Sequence, residues 1–154
     1  MDLCDLLAPD GIIAPLTVTS KKHALQELAT VAAERTGLDS REIFNTLLQR
    51  ERLGSTGLGR GIAVPHVKLG GLRNILCLFA RLADPIDYES HDNEPVDLVF
   101  LLLAPDHASG DHLKALASIS RVVREPSTID ALRNAADAAG LHVALTVAAP
   151  SHAA

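Results

Sequence analysis

Residues 50–66 read Arg-Glu-Arg-Leu-Gly-Ser-Thr-Gly-Leu-Gly-Arg-Gly-Ile-Ala-Val-Pro-His, placing four glycines, two hydroxyls and three arginines ahead of a histidine. Glycine-rich backbone N–H groups, the hydroxyls of Ser55 and Thr56 and the guanidinium groups of Arg50, Arg52 and Arg60 suit an oxyanion. His66 stands at the end of the stretch as a nucleophile beside it. Pro65 fixes the approach to that ring and donates no hydrogen bond of its own, so the imidazole is held at a strand end and presented to a partner. Glycine loses the most backbone entropy on ordering. Four glycines within eight residues therefore mark unusual backbone angles or the close approach of another group.

Nucleotide chemistry fits this loop poorly. Residues 54–61 have the glycine spacing of a P-loop, but Arg60-Gly61 stands where Lys-Ser/Thr is required, and a helix rather than a strand precedes the glycines. Ser55 is not in a G-x-S-x-G elbow, which argues against a hydrolase. A second group of candidates lies at Asp106, His107, Asp111 and His112. These straddle a loop and a helix start, so no metal is expected, nor any cofactor, and Ser109 or Asp111 is the natural helix cap. His112, in the first helical turn, lies near N–H groups that attract phosphate, and the positive helix end lowers its pKa. Arg50 sits in the last turn of its own helix, where a cation also satisfies the helix dipole. His23 and His91 read as exposed, and His142 as structural.

With these residues in view the chain resembles a known family. An acidic residue, six positions, Leu-Gly, two positions and Ile-Ala-Val-Pro-His is the phosphorylation-site pattern of the mannitol/fructose-type EIIA domain of the bacterial phosphotransferase system. Glu51, Leu58, Gly59, Ile62, Ala63, Val64, Pro65 and His66 fill it. Residues 50–57 and the later Asp92-Asn93-Glu94-Pro95-Val96-Asp97-Leu98 resemble the nitrogen-regulatory branch. The resemblance implies that His66 takes a phosphoryl group from a phosphorylated HPr-like carrier in a phosphoenolpyruvate-dependent relay, signalling nitrogen and carbon status to regulatory targets such as kinases or transporters. It implies a second active-site histidine in a His-Leu motif, matched by His112-Leu113. Arg50 and His112 are then expected to stabilise the phosphoryl oxygens, and Ser55 and Thr56 to hydrogen-bond them. Val67 departs from the pattern, which has a small residue there. A branched side chain beside the imidazole is expected to narrow access or turn the ring. Two alternatives are a sugar-specific EIIA serving a fructose- or mannitol-type permease, and a binding module that regulates by contact alone.

The elements that must position these residues follow from periodicity. Ser20 caps a helix with Ala24, Leu25, Leu28, Ala29, Val31 and Ala32 on one face, ended by Gly37. A second helix starts at Asp39 or Ser40, carries Ile43, Phe44, Leu47 and Leu48, and stops near Arg52 before Gly54. Residues 12–14 read as an edge strand after a short mixed turn at the N-terminus. Residues 75–80 and 96–103 read as strands buried on both faces, with a polar loop over 84–94 between them. A helix after His112 is expected to bury Leu113, Leu116, Ala117, Ile119, Ser120 and Val123, and Pro126 opens another. Residues 141–147 alternate like a strand, but the resemblance implies a final helix. The expectation is one α/β domain over 1–149, a three-layer sandwich with a central sheet covered by helices on both faces, and a frayed tail over 150–154; the resemblance implies that the sheet is mixed rather than wholly parallel.

Composition bounds the partners. The 154 residues are 47% hydrophobic with a formal net charge of −5, one Tyr, three Phe and no Trp, so the core is aliphatic. Neither nucleic acid nor an anionic membrane is an expected partner. Two cysteines, Cys4 and Cys77, fit a reduced compartment. No apolar window suggests a leader or membrane insertion, and a cytoplasmic protein is expected. No permease or carrier domain accompanies the motif, which favours regulation over transport.

Overall fold

A computed structural model describes residues 3–148, apart from the side chains of Cys4, Ser109, Val147 and Ala148. In chain order the elements are α1 (Leu3–Leu6), a 3-10 turn (Pro9–Gly11), β1 (Ile12–Leu16), α2 (Lys21–Thr36), α3 (Ser40–Leu53), β2 (Gly57–Gly59), β3 (Ile62–Ala63) and β4 (His66–Leu69). There follow β5 (Leu76–Ile86), β6 (Val96–Pro105), α4 (Ser109–Val123), α5 (Pro126–Asn134) and α6 (Ala138–Ala148). The expected tail over 150–154, with His152, lies outside the described residues.

The long apolar run of β6 is the middle of the sheet. The strand order is β1-β5-β6-β3-β2, with β4 also paired to β6. β5 runs antiparallel to β6, whereas β3 and β4 run parallel to it and β1 runs parallel to β5. The sheet is therefore mixed, as expected. Alternation along β6 supplies both layers: Phe100 and Leu102 pack with Phe79, Ile119, Leu132 and Leu141 on one side, and Val99, Leu101 and Leu103 pack with Leu25, Leu28, Ile43 and Leu47 on the other. Each such burial contributes about 1.5–3 kcal/mol, which explains why the run tolerates no polar residue between Leu98 and Ala104. Helices α2 and α3 cover one face, and α1, α4, α5 and α6 the other. Among the described residues no helix is long and apolar enough to cross a membrane.

Helix boundaries follow their local signals. The Ser20 hydroxyl accepts from His23 N–H at 3.1 Å, and Gly37 ends α2 with φ +77°. Helix α6 buries Leu141 and Leu145, one turn apart, so the apparent alternation of residues 141–147 is a helical face.

Several expectations are corrected. The N-terminal segment is a turn of helix, with Leu3 and Leu7 in the core rather than in a mixed turn. β5 continues six residues beyond Ala80, through part of the expected polar loop, because its register with β6 shifts at a bulge and resumes at the pair of Ile86 and Val96. In α4 neither Ser109 nor Asp111 is the cap: Ala108 holds that position without a side-chain cap bond. The buried face of α4 is His112, Ala115, Ile119, Val122 and Val123, while Leu113 is 69% exposed and Ala117 and Ser120 are also exposed. The 3.6-residue spacing from His112 fixes that face, and it turns Leu113 outward.

Candidate functional site

Strand β4 carries His66 along the edge of β6, and two helices close on it from the two faces of the sheet. The last turns of α3 bring Thr46, Gln49, Arg50 and Leu53. The first turn of α4 brings His112. With His66, Val67 and Lys68 these residues line an open depression of roughly 560 Å³. No carboxylate is among the described residues lining it, so an anion entering meets Arg50, Lys68 and two imidazoles.

The glycine-rich loop sets the approach. After α3 ends, β2 and β3 form a small hairpin that returns the chain so that Val64 N–H donates to Thr56 O at 3.0 Å. Two glycines are required by contacts. A Cβ on Gly57 would lie 2.1 Å from Ser90 Oγ, and one on Gly61, where φ is +83°, would lie 2.2 Å from Arg133 Nη2. At these two positions glycine admits neighbouring side chains and, at Gly61, a left-handed turn.

His66 Nδ1 lies 2.7 Å from Val64 O. A carbonyl only accepts, so Nδ1 carries the proton and Nε2 of the neutral ring keeps its lone pair. The rings of His66 and His112 meet edge to face with centroids 5.7 Å apart. His112 is 9% exposed, and its Nε2 is buried without a hydrogen-bond partner. Burial first, then the charges of His66 and Lys68, hold its pKa below the usual histidine value. Its backbone N–H is already given to Ala108 O at 2.8 Å, so at this residue the side chain is the available donor.

The arginines separate. Arg50 donates one of its N–H groups to Gly54 O at 3.0 Å, capping its helix, and its side chain also borders the depression. Arg52 borders a different hollow with Lys21, Lys22 and Glu89, and Arg60 donates to Val123 O at 2.8 Å beside Arg133. Ser55 and Thr56 are not among the lining residues. Ser55 Oγ donates to Tyr88 O at 3.0 Å and accepts from Gly57 N–H, and Thr56, buried, donates its hydroxyl to Glu51. Their hydroxyls are committed to loop structure, so the expected phosphoryl hydrogen bonds do not follow from this geometry. Val67 is 7% exposed and joins the core cluster with Leu47 and Leu103. Successive strand residues face opposite ways, so its branch packs away from the imidazole and does not turn it.

Lys68 was not anticipated, although two residues beyond His66 on a strand is the same face, and that spacing is the signal that identifies it. Thr46, Gln49 and Leu53 follow from Arg50 by helical spacing. The remaining histidines among the described residues are elsewhere: His91 and His107 are exposed, His23 Nδ1 accepts from Thr19 N–H at 3.2 Å, and His142 lies on α6.

Behind the site, Glu51 is 7% exposed and ion-paired with Lys21 at 2.9 Å. Tyr88 donates to it at 3.2 Å; burial and then that carboxylate hold the phenol well above its usual pKa, so it stays a donor.

Residues 5–146 match the family model described as phosphoenolpyruvate-dependent sugar phosphotransferase system, EIIA 2. The chain belongs to this family. The EIIA domain is 54% identical over 147 residues to a nitrogen regulatory protein of Bradyrhizobium diazoefficiens, covering 96% of each chain. Its fold superposes on the crystal structure of nitrogen regulatory protein IIA-Ntr from Neisseria meningitidis with a TM-score of 0.88 at 31% identity, covering 93% of this chain and 98% of that one. It also matches enzyme IIA mannitol of Escherichia coli, solved in complex with phosphorylated enzyme IIB mannitol, with a TM-score of 0.76 at 19% identity, covering 92% and 99%. That last likeness is one of fold.

Proposed function

We propose that this EIIA domain is a regulatory phosphocarrier that accepts a phosphoryl group on His66 Nε2 from the phosphohistidine of an HPr-like protein. The Nε2 lone pair forms the new N–P bond as the bond to the donor imidazole breaks, and its electron pair stays on the donor nitrogen. No proton has to leave Nε2 first, because Nδ1 carries it, and Val64 O faces the positive charge that the ring acquires. Phosphoryl transfer asks for positioning and charge stabilisation more than covalent chemistry. Arg50 and Lys68 supply charge, and His112 supplies a hydrogen bond from Nε2. The single observation that carries the reading is the locked His66 ring in an acid-free depression opposite a buried, unpartnered Nε2.

Docking of a protein donor accounts for two exposed leucines. Leu53 is 86% exposed at the end of α3 and Leu113 69% exposed in the first turn of α4, the two elements that flank the depression. A carrier that covers them removes apolar surface from water and shields the labile N–P bond. Similarity to nitrogen regulatory proteins over nearly the full chain supports a regulatory output, through contact with kinases, transporters or other targets, over sugar transport. The setting of such a relay is the cytoplasm.

Incubation with phosphoenolpyruvate, enzyme I and an HPr-type carrier tests this. Intact mass should show one phosphoryl group that mild acid removes, and His66→Ala should carry none. A wild type without acid-labile phosphate, or full labelling of His66→Ala, contradicts the proposal.

A further inference from the structure

The acidic residue that opens the sequence pattern has no part in the chemistry above, yet it is the most heavily engaged carboxylate of the site. Glu51 Oε1 accepts from Thr56 N–H at 3.0 Å and pairs with Lys21 Nζ at 2.9 Å, while Oε2 accepts from the Thr56 and Tyr88 hydroxyls. Lys21 is held in turn 3.6 Å from Glu89 and 4.8 Å from the centre of the Tyr88 ring. A carboxylate offers about four acceptor positions, and here four donors meet it. Burying a charge of this kind is costly unless it is paired and fully hydrogen-bonded, so the network is a committed feature of the loop.

What the network fixes is the backbone of Thr56. From there two bonds lead to the imidazole: Thr56 O accepts from Val64 N–H at 3.0 Å, and Val64 O accepts from His66 Nδ1–H at 2.7 Å. The β2–β3 hairpin that joins the two residues is only a few residues long and brings Val64 back against Thr56. We propose that Glu51 is a positioning residue for His66, holding Thr56 so that Val64 O fixes the Nδ1–H tautomer and leaves Nε2 free. The part of this that concerns transfer rests on the phosphocarrier reading. The part that concerns the tautomer does not.

Nitrogen-15 spectra of the His66 ring, recorded in mildly alkaline solution, test the proposal without any phosphoryl donor. The wild type should show one tautomer, protonated at Nδ1. Glu51→Gln removes the charge and one acceptor, and Thr56→Val removes the hydroxyl. Each should give a mixture of tautomers, with the far-ultraviolet circular dichroism unchanged. Thr56→Ser, which keeps the hydroxyl, should restore the single form. Phosphoryl uptake should fall about 10-fold or more in the first two variants, the range typical of partners that orient an imidazole, and recover in Thr56→Ser. If Glu51→Gln fails to fold, Thr56→Val decides. A single Nδ1–H tautomer persisting in the folded variants overturns the proposal. A wild type that shows the tautomer but takes no phosphate contradicts the phosphocarrier reading and leaves the positioning role standing.

Discussion

His112 is buried beside His66 and Lys68, two groups that disfavour a further positive charge. Its pKa lies below the ordinary value of 6.5 in the folded protein, so as pH falls through that value the unfolded chain takes a proton that the native ring refuses. Stability is then lost with acidification until the pH passes below the folded pKa, where both states are charged and the loss is complete. Melting temperatures between neutral pH and about pH 5 should show this fall, and His112→Gln should flatten it relative to wild type. In a phosphorylation assay the same variant should slow transfer by about 100-fold, the scale for removing one donor to developing charge; an unchanged rate would deny His112 its place beside the phosphoryl group. His66 and His112 stand out in the sequence through their motifs, and Arg50, whose place in the last turn alone suits the helix dipole, enters with the resemblance; the fold brings all three to the one depression. Lys68 and Glu51 stand out less: one becomes visible only when His66 is known to lie on a strand, the other only when the loop's fold back onto α3 brings Thr56 and Tyr88 to it. Ser55 and Thr56 misled because a hydroxyl in a glycine-rich loop looks the same in sequence whether it faces a ligand or a neighbouring backbone.

At the scale of elements, the glycine-rich stretch is a hairpin that spaces His66 from α3, and its glycines answer to packing. Gly57→Ala sets a methyl against Ser90 Oγ and Cβ. Overpacking of this kind costs typically 1–3 kcal/mol. Urea unfolding should show that loss, and because Gly57 adjoins the network around Thr56, the loss should be accompanied by altered His66 ring resonances. A variant as stable as wild type would mean that Ser90 moves aside freely. Helix α4 gives the instructive mismatch. Leu113 looks like a core residue when the helix is read from its apolar content, but the face is set by His112, Ala115 and Ile119, which leaves Leu113 in water next to the depression. An apolar residue exposed at a functional edge is legible only after the register of its helix is fixed.

Across the whole molecule, the sheet keeps its two covered faces for stability and its edge for chemistry. β6 supplies both cores through alternation, and it pairs along one edge with β3 and then β4, so that the Pro65 corner between them delivers His66 to the depression bordered by the end of α3 and the start of α4. The three-layer architecture was legible because its long strands and helices announce themselves by period, whereas the mixed direction of its strands was implied by the family resemblance alone. The short strands β2 to β4 were not, since two to four residues carry no period, and the extent of β5 was hidden by polar residues at its bulge. The proposed chemistry converges on one atom, the Nε2 of His66. The most direct measurement is the phosphorus-coupled nitrogen-15 spectrum of the intact protein, labelled at histidine and phosphorylated by an HPr-type carrier. Coupling of the phosphoryl group to His66 Nε2, with Nδ1 still protonated, is the predicted result. Coupling to Nδ1, or to any other histidine, would contradict it.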